Sequence, residues 1–506
     1  MNTKTKFSLV TMAVLTALGI QAQSLPEPLV QAVRKAVASN PEVQARWNGF
    51  KAAGNERDVA RGGLLPQLDL TTSLGRESQV SLARPGSGDY NLNATQLTLN
   101  QMLFDGFFTP SEVKRLGYAK LTRYYELADA SETAALEAVR AYVDVARYLE
   151  LVDVATQNYV EHKQITGLVE ERANAGVGRR VDVEQTIGRL ALAESNLLTE
   201  LTNLNDVSAR YLRIVGEKPP TSLISLPEPF KLGTLPTSND ALMRDGLQGS
   251  PTLNAAVENV RASTMAIESR KASYMPWLNL SVSTGRSNGI DGISGNTRVN
   301  GVGLVLNYNL FRGGADKARE RQAVDQREQA RDLQDKACRD VRQTLSISYS
   351  DVHSLSEQRR YLNQHRLSTE KSREAYRQQF NIGQRTLLDL LNSQKEYFEA
   401  TRAYLNARYN QATAQARTLA GMGQLVTTLG VNRADVPTAQ DAGQDRSGID
   451  PVELCPLEAP QVDTLEQIKA RLVIVPRIQG ALPLAAPVLA PSQAAHQTQF
   501  VGQRAP

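Results

Sequence analysis

Between Ala315 and Ile382 the chain runs for 68 residues without a glycine or a proline, the two strongest interrupters of an α-helix. A turn inside that stretch is excluded. It is filled instead with Ala, Arg, Gln, Glu, Asp and Leu, which favour or tolerate helix, and it predicts one rod roughly 100 Å long at 1.5 Å per residue. An ordinary compact domain cannot hold such a rod. Also missing, once the first 22 residues are passed, is any run of eighteen apolar residues. That excludes a transmembrane helix there and leaves a closed β-barrel as the way to cross a bilayer. Cysteine is scarce: Cys338 and Cys455 are the only two, a poor disulfide framework, and both read as incidental. His162, His353, His365 and His496 are scattered without zinc-ligand spacing. No Gly-x-x-x-x-Gly-Lys loop and no Gly-x-Ser-x-Gly elbow occurs, so neither an energy source nor a serine nucleophile resides in the chain. An excess of one charge is lacking too, with 57 basic against 53 acidic side chains, +4 in all and +2 once Lys4 and Lys6 are set aside. No nucleic-acid partner follows from so balanced a surface.

What is present is ordinary for a folded protein, 41% apolar and 22% charged in 506 residues. Residues 1–22 have a Lys-bearing start, an apolar run and small residues near Ala22, the pattern of a secretory signal peptide. No cysteine stands near the cut to take a lipid. Along the long rod Val324, Leu333, Val341, Leu345, Val352, Leu355 and Leu362 fall near spacings of three, four and seven. They form a narrow stripe that needs helical neighbours of matching length.

An internal repeat organises the rest. Asn40-Pro-Glu-Val-Gln-Ala45 recurs as Ser250-Pro-Thr-Leu-Asn-Ala255, and Leu65-Pro-Gln-Leu-Asp-Leu70 as Met275-Pro-Trp-Leu-Asn-Leu280, each shifted by 210 residues. Leu103-Phe-Asp-Gly106 recurs as Leu310-Phe-Arg-Gly313, and Asn174-Ala-Gly176 with Asp182 as Asn381-Ile-Gly383 with Asp389, each shifted by 207. The first copy spans 23–215. It holds one helix from about Leu29 to Arg61, a hairpin over 66–104 turning at 84–88, a long helix over 111–173 and a return helix over 179–215. The apolar parity of its second strand shifts between Ala94 and Leu97, which suggests a bulge. The second copy spans 240–430, with one helix from about Asp240 to Ser273, a hairpin over 276–311, the long helix 315–382 and a return helix over 384–420. Between the copies lies the Pro-rich linker 216–239. The two short helices of each copy sum to about the length of the long one, which puts that linker at mid-height. Residues 431–506 are rich in Pro, Ala, Gln and Gly and read as a tail with little core of its own. Leu465 to Val475 is its one ordered candidate.

Leu68, Leu70, Thr72 and Leu74 alternate with polar residues, as do Leu278, Leu280, Val282 and Thr284, giving strands with one apolar face. Four strands cannot close a membrane barrel by themselves, so oligomerisation is required if they cross a bilayer. The alternative from periodicity alone is two soluble hairpins covering an apolar surface. Trp277 reads as packing the bend after Pro276 rather than sitting in an interfacial belt.

The order helix, hairpin, long helix, turn, helix, given twice behind a signal peptide, resembles the TolC family of outer-membrane efflux and secretion proteins. The residues that carry it are Phe380-Asn-Ile-Gly-Gln-Arg-Thr-Leu-Leu-Asp-Leu-Leu-Asn392, Ala403-Tyr-Leu-Asn-Ala-Arg-Tyr-Asn410 and Leu310-Phe-Arg-Gly-Gly314, and the match covers about residues 25–430. The resemblance implies a mainly α fold with a membrane β-barrel portion: a homotrimer whose four strands per protomer make a twelve-stranded barrel, continued by a coiled-coil α-helical tunnel through the periplasm. It implies the outer membrane as the location, with no catalysis and no cofactor. The partners it implies are a periplasmic adaptor of the membrane-fusion class, an inner-membrane transporter of the ABC or proton-driven kind, and outer-membrane lipid. The wording around Asp389 is similar to outer-membrane components of type I protein secretion. Multidrug or small-molecule efflux is the alternative within the family, and a secreted coiled-coil scaffold or adhesin without a pore is the alternative outside it.

The same resemblance places the turns after the long helices at a closed tunnel entrance. There Asp389 would project into the pore, three copies forming a carboxylate ring that blocks cations. Thr386-Leu-Leu-Asp389 reads equally as a capping box, and the two roles are compatible. Asn392 stands where the family has a second carboxylate, so cation block is expected to be weaker. Arg385 and Asp182 match positions that hold the entrance closed, against a plain reading as a solvated helix start. Phe380 replaces a tyrosine and cannot supply its hydroxyl.

Overall fold

The computed structural model of the chain describes residues 25–78, 89–220, 226, 230–289, 295–445, 450–457 and 462–472. The leader 1–22 and the turn at 84–88 lie outside them. Residues up to Ala459 form one unit and those from Pro460 a second, which contains a helix over Leu465–Arg471 capped by Thr464.

The first repeat opens with α1 (Glu27–Ser39) and α2 (Pro41–Gly62), then β1 (Gln67–Ser78) and β2 (Asp89–Phe104). It continues with the rod α3 (Phe108–Asn174) and the return helix α4 (Arg180–Val215). The second has α5 (Asn239–Gly249), α6 (Pro251–Lys271), β3 (Trp277–Asn288), β4 (Asn296–Asn307), the rod α7 (Ala315–Asn381) and α8 (Leu387–Gly421), with the short α9 (Leu425–Thr428) after it. Each rod has 67 residues, about 100 Å of helix.

One expectation fails twice in the same way. The single helices expected over 29–61 and 240–273 are each broken in two, at Asn40-Pro41 and at Ser250-Pro251. Proline cannot donate into the preceding turn and pushes the residue before it out of helical conformation. Asn40 and Ser250 are extended, with ψ of 124° and 117°, and cap the next helix through their side chains: Asn40 accepts from the Glu42 and Val43 amides, Ser250 from that of Leu253.

The strands form one antiparallel sheet in the order β1-β2-β3-β4. Leu68, Leu99, Val282 and Val302 lie opposite one another across it, so the apolar sides share a face. Leu68, Val282 and Val302 are exposed, Leu68 by 63% and Val302 by 77%, as are Leu70, Leu304 and Leu306, while Leu99 is half-buried. The bulge expected between Ala94 and Leu97 is not there. Pairing is regular through that stretch and shifts only between Met102 and Phe104, so Leu92 and Ala94 lie on the face opposite Leu97 and Leu99. Trp277, at the start of β3, is 48% exposed, so it does not pack wholly into the bend. β2 passes to α3 through Gly106 and Phe107, both with φ of 69°. Phe107 holds a left-handed conformation that its counterpart Gly314, with φ of 84°, takes freely.

In the half nearest the strands, α2 packs on α3, α3 on α6 and α6 on α7. In the far half α4 flanks α3, and α8 packs against both α3 and α7. The main core sits between the two halves, where Leu29 and Val33 of α1 meet Val139 and Tyr142 of α3, Tyr409 and Leu419 of α8, and Leu226 and Leu232 of the linker. Glu132 is buried in α3 beside it. Its carboxyl oxygens accept hydrogen bonds from the Leu425 amide at 3.0 Å and the Val426 amide at 3.3 Å.

The tail also departs from expectation. Residues 431–445 and 450–457 form a strap laid across α2, α3, α6 and α7. Val436 packs on Val43 and Leu127, and Ala442 on Phe50 and Leu121. Lys120 donates to the Ala442 carbonyl at 3.2 Å and Arg261 to the Asp445 carbonyl at 3.1 Å. Cys338 and Cys455 are not incidental. They are joined by a disulfide with their Cα atoms 5.8 Å apart, inside a cluster that includes Leu242, Leu247 and Leu345.

Candidate functional site

Both rods reverse direction at the end far from the strands. α3 ends at Asn174 and α4 begins at Arg180, while α7 ends at Asn381 and α8 begins at Leu387. In each turn a glycine takes the left-handed conformation that stops a helix, Gly176 with φ of 80° and Gly383 with φ of 78°. The following amides fold back on the last helical turn, Val177 onto the Arg172 carbonyl at 3.0 Å and Gln384 onto that of Gln379 at 2.8 Å.

Phe380 is buried, 7% exposed, among Ile165 and Val169 of α3 and Leu387, Leu390 and Leu391 of α8. The Arg172 guanidinium lies 5.1 Å from its ring. Its lack of a hydroxyl suits that setting, because a buried hydroxyl needs a partner. Phe380 is thus the apolar pin that joins α3, α7 and α8 at this end.

Asp389 closes a capping box. Its Oδ2 accepts from the Thr386 hydroxyl at 2.9 Å and from the Thr386 amide at 3.3 Å, while its own amide donates to Thr386 Oγ1 at 3.2 Å. The carboxylate is still 38% exposed, so capping leaves it a water-facing side. Arg385 donates to Gln379 at 3.0 Å, lies over the Tyr376 ring at 4.5 Å and approaches Asp389 at 3.9 Å. It is not brought to Asp182. That carboxylate sits in the first turn of α4 and has no hydrogen-bond or ion-pair partner among the described residues.

Asn392 has a partner that sequence reasoning missed: Arg189 of α4 donates to its Oδ1 at 3.3 Å. Two further ties between repeats lie close by. Arg377 of α7 meets Glu161 of α3 at 3.3 Å, and Arg402 of α8 meets Glu200 of α4 at 2.5 Å, where the Glu200 side chain is only 2% exposed. No local pattern announces these pairs, since their partners stand some 200 residues apart in the chain. His162, buried one helix turn from Thr166, places its Nδ1 2.8 Å from the Asn158 carbonyl. Burial holds its imidazole below the ordinary histidine range, and nearby Arg189 adds to that. Among the described residues no cluster of His, Cys, Asp and Glu could hold a metal ion, and no helix is long and apolar enough to cross a membrane.

The geometry is that of a helical rod with a strand-bearing head and a turn-bearing foot, and both copies of the repeat find a counterpart among known proteins. Residues 32–217 and 242–424 match the family described as Outer membrane efflux protein. The chain belongs to that family. It is 25% identical over 424 residues to the outer membrane efflux protein BepC of Brucella suis, covering 82% of this chain and 90% of that protein. It is 28% identical over 406 residues to the alkaline protease secretion protein AprF of Pseudomonas aeruginosa, covering 77% and 83%. Outer membrane protein TolC of Escherichia coli is 25% identical over 432 residues, covering 81% and 85%. Among solved structures, VceC of Vibrio cholerae superposes with a TM-score of 0.69 at 18% identity, over 79% of this chain and 96% of that one. The CmeC outer membrane channel of Campylobacter jejuni gives 0.69 at 14%, over 87% and 96%. The chain is therefore an outer-membrane efflux or secretion channel of the TolC family, built as a helical tunnel with a barrel, and not an enzyme. The secreted coiled-coil scaffold or adhesin without a pore, the alternative outside the family, is set aside.

Proposed function

We propose that three copies of this chain assemble into a passive exit duct for type I protein secretion. The observation that carries the assembly is the open sheet. β1 and β4 are both edge strands with twelve residues each, and one face bears a leucine-rich surface. Lipid leaves no backbone group unpaired, so β1 of one copy pairs with β4 of the next until the ring closes. Three copies give twelve strands, within the range of membrane barrels. The rods then continue the bore into the periplasm, where an adaptor and an energised inner-membrane transporter of the ABC or proton-driven kind engage it.

At the foot, three Asp389 carboxylates form the ring that attracts and holds cations, each kept in place by its own Thr386. Arg385 and Asp182 belong to the contacts that hold the closed entrance. The secretion reading draws on the relatives AprF and PrtF, both named for protease secretion and 28% and 26% identical. A second reading, small-molecule efflux, draws on BepC and on the toluene efflux pump protein TtgI of Pseudomonas putida, 25% identical over 284 residues.

Two measurements test this. In planar bilayers the protein should conduct, and Asp389→Ala should weaken block by divalent cations; unchanged block removes Asp389 from the gate. Deletion of the gene should abolish export of a large protein while leaving drug sensitivity unaltered. The reverse outcome assigns the duct to efflux.

A further inference from the structure

The strap and its disulfide make the two repeats mechanically unequal. We infer that the Cys338–Cys455 bond turns the α7–α8 hairpin into a covalently closed loop, restraining its slip along the rods, while the α3–α4 hairpin stays open. The bonded cysteines are 117 residues apart in sequence. The chain between them descends the rest of α7, turns at Gly383, climbs α8, passes α9 and returns through the strap. Every element of the second-repeat foot lies within that ring. The first repeat has no cysteine, so α3 and α4 have no counterpart closure.

The described residues of the return limb are anchored at several points. Val431 is held in the main core, Val436 and Ala442 are seated on α2 and α3, and Asp445 is held by Arg261 of α6. Beyond them Arg342 of α7 donates to the Pro456 carbonyl at 3.1 Å, four residues along the rod from Cys338. For α8 to move axially against α7, this limb would have to leave those seats or the bond would have to break. Motion of the second-repeat foot is therefore confined to the part of α7 beyond Cys338.

The bond also orders maturation. Cys338 and Cys455 are 5% and 4% exposed, so neither a thiol oxidase nor a reductant reaches them once the strap is seated. Oxidation precedes seating. Two thiols then lose two protons and two electrons, and the disulfide of a thiol–disulfide oxidase outside the cytoplasm accepts them and leaves as a dithiol. Once buried, the crosslink is out of reach of exchange.

Protein isolated from the cell envelope in the presence of an alkylating agent provides the first test. Peptide mapping should find Cys338 and Cys455 linked and no alkylated thiol. Free thiols in the folded protein overturn the inference. Hydrogen exchange of wild type against the Cys338→Ala/Cys455→Ala protein, which keeps small apolar side chains at both sites, provides the second. Amides in 330–349 and 415–431 should exchange about tenfold faster or more in the variant, with those in 165–190 unchanged. Equal acceleration in both hairpins, or none in either, overturns the inference. Should the variant not fold, the same comparison is made with Cys455→Ala alone, which breaks the bond and leaves the Cys338 side chain in the cluster.

Discussion

Glu132 should make this protein less stable as pH rises from 5 to 8. Its carboxyl is buried against α9, and that burial, with Asp129 adding, pushes it from the ordinary 4.5 up to about 8, against the pull of the Val426 and Leu425 amides. In the unfolded chain the group ionises near its ordinary value. Between the two pH values the folded state therefore holds a proton that the unfolded state has released. Stability is fully present below pH 4.5 and is lost as pH climbs through about 8. Each pH unit inside the window removes at most about 1.4 kcal/mol per subunit, so the ceiling between pH 5 and pH 8 is about 4 kcal/mol. Glu132→Gln cannot ionise and keeps one acceptor for α9, losing a hydrogen bond worth about 1 kcal/mol. The two proteins should then cross. Wild type is the more stable at pH 4 and the variant at pH 8, with the curves meeting near pH 5, read as thermal unfolding midpoints of detergent-solubilised protein from pH 4 to pH 8. A gap between the curves that stays constant with pH refutes the reasoning, because a merely structural loss has no pH dependence.

Other substitutions probe the foot. Phe380→Ala removes the apolar pin and should cost about 3–5 kcal/mol, seen as a lower unfolding temperature and as a closed-state conductance that rises. Arg402→Ala leaves the buried Glu200 carboxylate without its guanidinium and should destabilise by about 3–5 kcal/mol. Adding Glu200→Leu to it should recover most of that loss on denaturant titration. Asn392→Asp sets a second carboxylate one helical turn after Asp389 and gives Arg189 a charged acceptor. It should tighten divalent block in planar bilayers, and unaltered block would mean that position 392 does not face the ions.

The parts of this fold that can be read from sequence are those written in breakers and periods. The rods follow from the absence of Gly and Pro in 315–382, and the strands from alternation of leucine with polar residues. The foot turns follow from Asn174-Ala-Gly176 and Asn381-Ile-Gly383. Pro41 and Pro251 did mark the joints, since proline ends or kinks a helix at the residue before it, and the expectation of single helices over 29–61 and 240–273 passed over them. The other missed features lack a local signature. The strap is held by isolated residues, Val436, Ala442 and Cys455, at no regular spacing, and its composition reads as a loose tail. The disulfide joins positions too distant for spacing to speak. At the foot, the Thr386–Asp389 cap was legible as a motif, whereas Asn392 meeting Arg189 depends on how the two repeats lie together. Phe380 was read by the hydroxyl it lacks, and the apolar pocket around it is visible only in three dimensions.

The twin breaks at Asn40-Pro41 and Ser250-Pro251 carry a consequence about ancestry. Both copies are jointed at the same register, with the same means, a polar capping side chain followed by proline. A joint inherited in duplicate is older than the duplication, so the half-length ancestor already carried an articulated arm beside its rod. Cys338 lies in the second copy and Cys455 in the strap beyond it, so the covalent closure is no part of the plan that the two copies share.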